Sequence, residues 1–431
     1  MTFGVLMLLA SPAFAATKYA RAGGGNFSAD ATWSTTSGGG ADTTKCVAAD
    51  ACILDAASGN VTVDAASAAG SLNCTGYTGT LTLGANLTVS GSITLVAGMT
   101  FTPSTYKVTV NATTTIATGG KSFYDFAFYG VFTATLSDNL NITHDCDFLY
   151  ANANGFTING VFNVNVGGSI TFSDTATYPN SPRGTATVVM NGTGTLNGGN
   201  AGFGLNLSIN TTGTVTFADA VFKYGVGGFA TTFTYVAGTV VPGLSTFYTN
   251  AADSILSIDS DGMSFFNYSH YDADGTVGVK LLGDMDVNGT FNNINNKIFD
   301  LNGFNMTVAG DFTNNGNVKT SSGTPSTTFN GTGTWSGTGT VNTNLIFNTA
   351  GTITLSGTVN FATGTLTYTA GTISVGTSVL STTGSCTLNT NGMSWYDVTT
   401  VTGGTTTLTS ALDVNRNLTI GASTTLAPGA N

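Results

Sequence analysis

Only 8% of the 431 residues are charged, against about 25% in an ordinary soluble domain, and 58 are glycine. The chain has neither glutamate nor glutamine, so strong helix formers are scarce while Thr, Val, Ile, Phe and Tyr abound; this excludes a helical bundle, a coiled coil and a doubly wound α/β enzyme. Hydrophobic content of 41% with 27 Phe excludes disorder, and a net charge of −11 with basic residues scattered singly from Lys18 to Arg416 leaves no stripe for nucleic acid or an anionic membrane.

Residues 1–16 read MTFGVLMLLASPAFAA. A short apolar run followed by Ala13-Phe14-Ala15 fits a signal peptide over residues 1–15, although the positively charged n-region is missing. The competing reading is an apolar N-terminal strand of a particle protein made in the cytoplasm. No later stretch approaches the ~18 apolar residues that span a bilayer, so membrane insertion is not expected. In an exported chain Cys46 and Cys52 are placed to close a short disulfide loop. Cys74, Cys146 and Cys386 lie in alternating apolar segments and read as small core residues; no Cys/His spacing suits zinc.

From residue 80 onward the dominant signal is alternation with period two in very short segments. In residues 80–101, TLTLGANLTVSGSITLVAGMTF, Leu81 and Leu83, Leu87 and Val89, then Ile93 and Leu95 point one way, with Thr and Ser between. Such strands are too short and too closely spaced for a sandwich, and suit the faces of a coil whose turns stack. The same texture recurs over residues 155–172, 302–312 and 351–373. Inward Leu, Val, Ile and Phe fill a narrow core, outward Thr stack between coils, and Asn and Gly take the corners. The expected fold is all-β, a single-chain parallel β-helix (β-solenoid) with lateral loops and almost no α-helix. With roughly 20 residues per coil and about 4.8 Å per stacked strand, the rod would be of order 100 Å.

A longer repeat overlies the coils. Lys121-Ser122-Phe123-Tyr124-Asp125-Phe126 returns as Met263-Ser264-Phe265-Phe266-Asn267-Tyr268 and as Met393-Ser394-Trp395-Tyr396-Asp397-Val398. Met190-Asn191-Gly192-Thr193-Gly194-Thr195 returns as Phe329-Asn330-Gly331-Thr332-Gly333-Thr334, and Met285-Asp286-Val287-Asn288 as Leu412-Asp413-Val414-Asn415. The first two repeats are spaced by 130 to 142 residues, the mark of blocks of coils duplicated together. The organisation expected is a signal peptide at 1–15, an N-terminal capping module at 16–79 and a shaft at 80–431. The last segment, NLTIGASTTL, has the texture of an interior coil and shows no polar cap.

The segment from Gly25 through Asn26, Phe27, Asp30, Thr32 and Trp33 to Ser34, with Asp50, Ile53-Leu54-Asp55 and Gly59-Asn60-Val61-Thr62-Val63-Asp64, resembles the opening module of β-helical proteins among bacterial secreted adhesins and structural or fibre proteins of environmental phages. It covers about the first 80 residues; the rest matches in repeat texture alone. The resemblance implies a parallel β-helix with a non-enzymatic surface or virion role. Where many relatives carry a Pro just before the position of Asp50, this chain has Ala48-Ala49.

Candidate chemistry is sparse. Four carboxylate pairs, Asp145/Asp147 beside His144, Asp259/Asp261, Asp272/Asp274 and Asp284/Asp286, have the composition for glycoside or polysaccharide cleavage, but read first as solvated faces or corners. His144 and His270 are the only histidines. Asp284, Asp286 and Asn288 match the first half of a calcium loop; its twelfth position is Asn295 rather than a bidentate Glu, so they are weak candidates. The aromatic doublets Phe123/Tyr124, Phe265/Phe266 and Trp395/Tyr396 admit two readings. Alternation would leave one ring of each outward, to stack on a glycan or a partner chain; a lateral loop folded over the rod would bury both. No cofactor is expected.

The expected function is a non-enzymatic extracellular structural protein: a fibre or filament subunit, or a virion appendage, that self-associates through stacked strands and end-to-end contacts. The alternatives are a monomeric carbohydrate-binding adhesin at the cell surface and a β-helical polysaccharide lyase or hydrolase.

Overall fold

A computed structural model describes residues 15–150, 156–174, 182–198, 202–225, 230–250, 254–271, 278–294, 297–401 and 403–429. The leader-like residues 1–14, the pair Asp272/Asp274 and Asn295 lie outside the described residues. The chain divides into two units, residues 1–145 and 146–431. Each is a parallel β-solenoid, and the helical content among the described residues is a single 3-10 turn, Asp30–Thr32.

In the first unit the N-terminal module is part of the solenoid. Ala51–Ile53 pairs in parallel with Ser71–Asn73, which pairs with Ile93–Thr94, which pairs with Thr114–Ala117. The pairings described are parallel with one exception, Thr17–Ala20 against Trp33–Ser34. That excursion folds on itself: Trp33 lies edge-on to Phe27 at 4.8 Å and donates its indole N–H to the Phe27 carbonyl at 2.9 Å. Asp50, buried, accepts the backbone N–H groups of Ala16 and Val47, and Asp64 accepts those of the Ser28 backbone and hydroxyl. Acids within the N-terminal signature thus tie segments distant in sequence.

The second unit has three faces. Face I runs through Leu256–Asp259, Val279–Leu281, Ile298–Asp300, Asn317–Lys319, Thr340–Asn342, Thr358–Phe361 and Val379–Thr382. Face II runs through Ser264–Phe265, Met285–Val287, Met306–Val308, Ser326–Phe329, the first halves of Asn344–Leu355 and Gly364–Ser374, and Cys386–Asn389. Face III runs through Val221–Tyr224, Thr246–Thr249, Asn267–His270, Phe291–Asn293, Phe312–Asn314 and Gly333–Ser336. Alternate residues enter the core in strands such as Met285–Val287, Met306–Val308 and Ser326–Phe329, as a period of two requires.

The core of face III is aromatic. Phe222, Phe247, Tyr268, Phe291, Phe312 and Trp335 occupy one register column on successive coils. All six are buried, and neighbouring ring centroids lie 4.6 to 6.2 Å apart. Each contact contributes about 0.5–1.5 kcal/mol beyond its buried area. The requirement is that every coil return to the same register, and the parallel ladders enforce it.

The duplicated blocks are out of phase with the coils. Phe265 lies on face II, whose ladder returns six times before reaching Leu388; Trp395, its counterpart, is one face further on. Met190 belongs to the face I ladder and its counterpart Phe329 to face II, the same advance. A block of six turns plus one face can be inserted only if the three faces are geometrically interchangeable. The Asn-Gly-Thr-Gly-Thr copies show the local constraint that survives this. A Cβ at Gly192 would stand 1.9 Å from the Gly167 carbonyl oxygen, and one at Gly331 2.0 Å from that of Ala309, so the backbone of the preceding coil leaves no room for a side chain.

Candidate functional site

The three copies of the aromatic doublet build one corner. Each begins with a buried hydroxyl: Thr118, Ser260 and Thr390 donate to carbonyls of the next coil, on Asn139, Asp284 and Ala411. A tight turn follows, closed by backbone hydrogen bonds from Lys121 to Thr118, Met263 to Ser260 and Met393 to Thr390. The third copy takes it with Asn391 and Gly392 in left-handed conformations, φ +42° and +86°. Then comes the doublet, and after it a side chain that caps the next coil. Asp125 accepts the Asp145 N–H at 3.1 Å, Asn267 that of Thr290 at 2.8 Å, and Asp397 that of Asn417 at 3.1 Å.

Alternation decides the fate of the rings. Phe123, Phe265 and Trp395 are buried, while Tyr124, Phe266 and Tyr396 remain partly exposed. The idea that a lateral loop buries both rings is therefore corrected: Tyr124 and Phe266 each stand at a one-residue bend between two strands and Tyr396 within a strand, all partly exposed. The correction extends to Phe123, Phe265 and Trp395 as glycan or partner contacts: they are core residues with no surface to offer.

What covers each outward ring differs. The residue preceding the capped N–H is His144 in the first copy, Gly289 in the second and Arg416 in the third. The His144 imidazole stacks on Tyr124 with centroids 4.6 Å apart and planes 14° from parallel. The Arg416 guanidinium lies 4.6 Å from the Tyr396 centroid and hydrogen-bonds Asp397 through Nε and Nη2. Gly289 has no side chain, and a Cβ there would meet Asn267 Oδ1 at 2.5 Å, so no side chain from that position covers Phe266. Phe266 and Tyr396 sit on successive faces of the second unit, not along one line.

The calcium candidates are used otherwise. Asp286 accepts hydrogen bonds from Ser264 on the coil before and Thr307 on the coil after, both in register with it. Its counterpart Asp413 accepts one from Ser394 in the same way. Asp284 accepts the Asn305 N–H at 2.7 Å, and Asn288 is exposed. These residues lie on a strand and its flanks, with their oxygens turned to neighbouring coils instead of to a common centre. Asp259 ends a face I strand and Asp261 lies in the following turn. Asp145 closes the first unit and Asp147 belongs to the second.

Cys46 and Cys52 form a disulfide with Cα atoms 5.9 Å apart, and Cys74, Cys146 and Cys386 are buried. Burial pushes the Cys74 thiol up to about 12, so it is inert as a nucleophile at neutral pH. Sequence reading did not find the groove on face II lined by Ser264, Asp284, Asp286, Asn305 and Thr307 from three coils, nor the neighbouring one lined by Tyr235, Thr239 and Asn288, which shares Ser264 with it. Its signal, outward polar residues about 21 apart, is lost among the many other Thr and Asn. No family model, curated protein or solved structure matches the chain.

Proposed function

We propose that the chain is a non-enzymatic extracellular structural protein, a β-solenoid subunit of a fibre, filament or virion appendage. The observation that carries this reading is the register of its coils. Six aromatic rings stack in one column of the second unit, and the recurring corners spend their polar side chains on joining one coil to the next. Such a molecule invests its chemistry in axial cohesion, which is what a stiff shaft needs. The Cys46–Cys52 disulfide supports a location in an oxidising compartment. Self-association would use the same ladder chemistry that joins the coils.

Negative-stain microscopy of the purified full chain tests the reading. Elongated particles that join end to end are expected. Compact monodisperse particles would refute it.

The face II groove favours a second reading, a carbohydrate-binding adhesin. Its hydroxyls, amide and carboxylates suit sugar hydroxyls, and Tyr235 in the adjoining groove offers a ring for a sugar face. Glycan-array binding lost on Tyr235→Ala and kept on Tyr396→Ala would support that reading; no binding to any glycan would remove it.

A further inference from the structure

We propose that Asp125, His144 and Asp145 bind one divalent transition-metal ion, with zinc the best match to the donor set. One ligand atom from each residue lies within 4.8 Å of the other two. His144 Nδ1 is 2.8 Å from Asp125 Oδ1 and 3.5 Å from Asp145 Oδ2. Ligands about 2.0–2.1 Å from a tetrahedral ion stand roughly 3.3 Å apart, so small movements of exposed side chains close the shell on three sides and leave the fourth to water. An imidazole nitrogen disfavours calcium and magnesium; with two carboxylates it suits zinc, nickel, cobalt or copper. Two ionised carboxylates also match the charge of the ion. In the empty site His144 Nδ1 donates its proton to Asp125 Oδ1, so binding moves that proton to Nε2 or to solvent and gives the Nδ1 lone pair to the metal.

The groups are held before any ion arrives. Tyr124 stacks on the imidazole and fixes its plane, and the Asp145 N–H, donating to Asp125 Oδ1, fixes that carboxylate. The third copy of the corner shows that this position accepts a cation, for there the Arg416 guanidinium rests on Asp397 over the Tyr396 ring. Among the copies the first alone follows the ring-covering residue with a carboxylate: Asp145 stands where the second has Thr290 and the third Asn417. Lys107, in register with Asp125 one coil earlier, brings a positive charge that weakens the site without altering its donors. No second imidazole competes from the surface, because His270 is fully buried.

Calorimetric titration of the chelator-stripped full chain with zinc, and with cobalt followed by visible absorption, tests this. One equivalent is expected, with a four-coordinate cobalt spectrum, and His144→Ala and Asp145→Asn should each weaken it by about tenfold or more. Asp284→Asn should leave it unchanged. Circular dichroism reports folding of each variant, and Asp125 is spared because it caps the corner. The proposal is overturned if no stoichiometric binding occurs, if calcium binds there as tightly as zinc, or if both folded variants bind like the parent chain.

Discussion

Phe291 and Phe312 stand in register on adjacent coils with ring centroids 5.1 Å apart and planes 12° from parallel. Each has a further ring beyond it, Tyr268 on one side and Trp335 on the other. Phe312→Ala therefore opens a cavity between rings that cannot approach each other, because the ladder spacing holds the coils apart. The expected loss is about 3–5 kcal/mol, and Phe312→Leu should lose less than half of that. Chemical denaturation of the two variants checks it; equal losses would mean the rings do not act as a stacked column.

Gly331 makes a different kind of demand. Its hypothetical Cβ would lie 2.0 Å from the backbone oxygen of Ala309, and backbone cannot turn aside as a side chain can. Gly331→Ala should destabilise by about 1–3 kcal/mol through forced separation of two coils. Gly120→Ala tests the other contribution, since there φ is +76° and nothing lies within 4 Å of the new methyl, leaving backbone strain alone. A thermal melt that ranks Gly120→Ala as the more damaging would contradict this account.

The period-two alternation made the coil legible, and with it the inward positions of Leu81, Leu83, Leu87 and Val89, all buried. The aromatic column was not, since Phe222, Phe247, Tyr268, Phe291, Phe312 and Trp335 are unevenly spaced in sequence and become a column only once coils of different length are brought into register. The corner caps escaped for a related reason. Asp125 and Asp397 each find their partner 20 residues on and Asn267 finds its own 23 on, distances at which a polar residue looks like any other outward one. The advance of each block by one face leaves no trace in the repeats themselves, because a face is invisible until strands are paired.

Asp397 and Arg416 predict acid lability at the third corner. Hydrogen bonding to Arg416, with the Asn417 N–H adding to it, holds the Asp397 carboxyl below its ordinary 3.8. A carboxylate lowered on folding contributes stability that is complete above the unfolded pKa and lost as pH falls through the folded one. Asp42, lowered by Lys18, and Asp64, lowered by the Ser28 hydroxyl, act in the same window. Melting temperatures should drop below about pH 4. Asp397→Asn should melt lower than the parent at pH 7 and together with it at pH 2; a constant difference across that range would dissociate the corner from acid unfolding.

His270 gives a second, higher window. It occupies a buried column with Thr249, Asn293 and Asn314 on successive coils. Nδ1 lies 3.1 Å from Thr249 Oγ1, while Nε2 has no partner. Burial, reinforced by the charge of Lys297, pushes its pKa down to about 4 from 6.5. Between those values the unfolded chain takes a proton that the native chain refuses, so stability falls as pH drops from 6.5 to 4 and is insensitive to this group above 6.5. At 1.36 kcal/mol per pKa unit the full effect is about 3 kcal/mol. Asn293 and Asn314 already join through an amide hydrogen bond of 3.0 Å, so His270→Asn extends an existing motif and removes the titrating group. Denaturant midpoints at pH 7.5 and pH 4.5 should differ for the parent and nearly coincide for His270→Asn. If both proteins weaken in parallel, the proton is taken up elsewhere and the buried imidazole is not the cause.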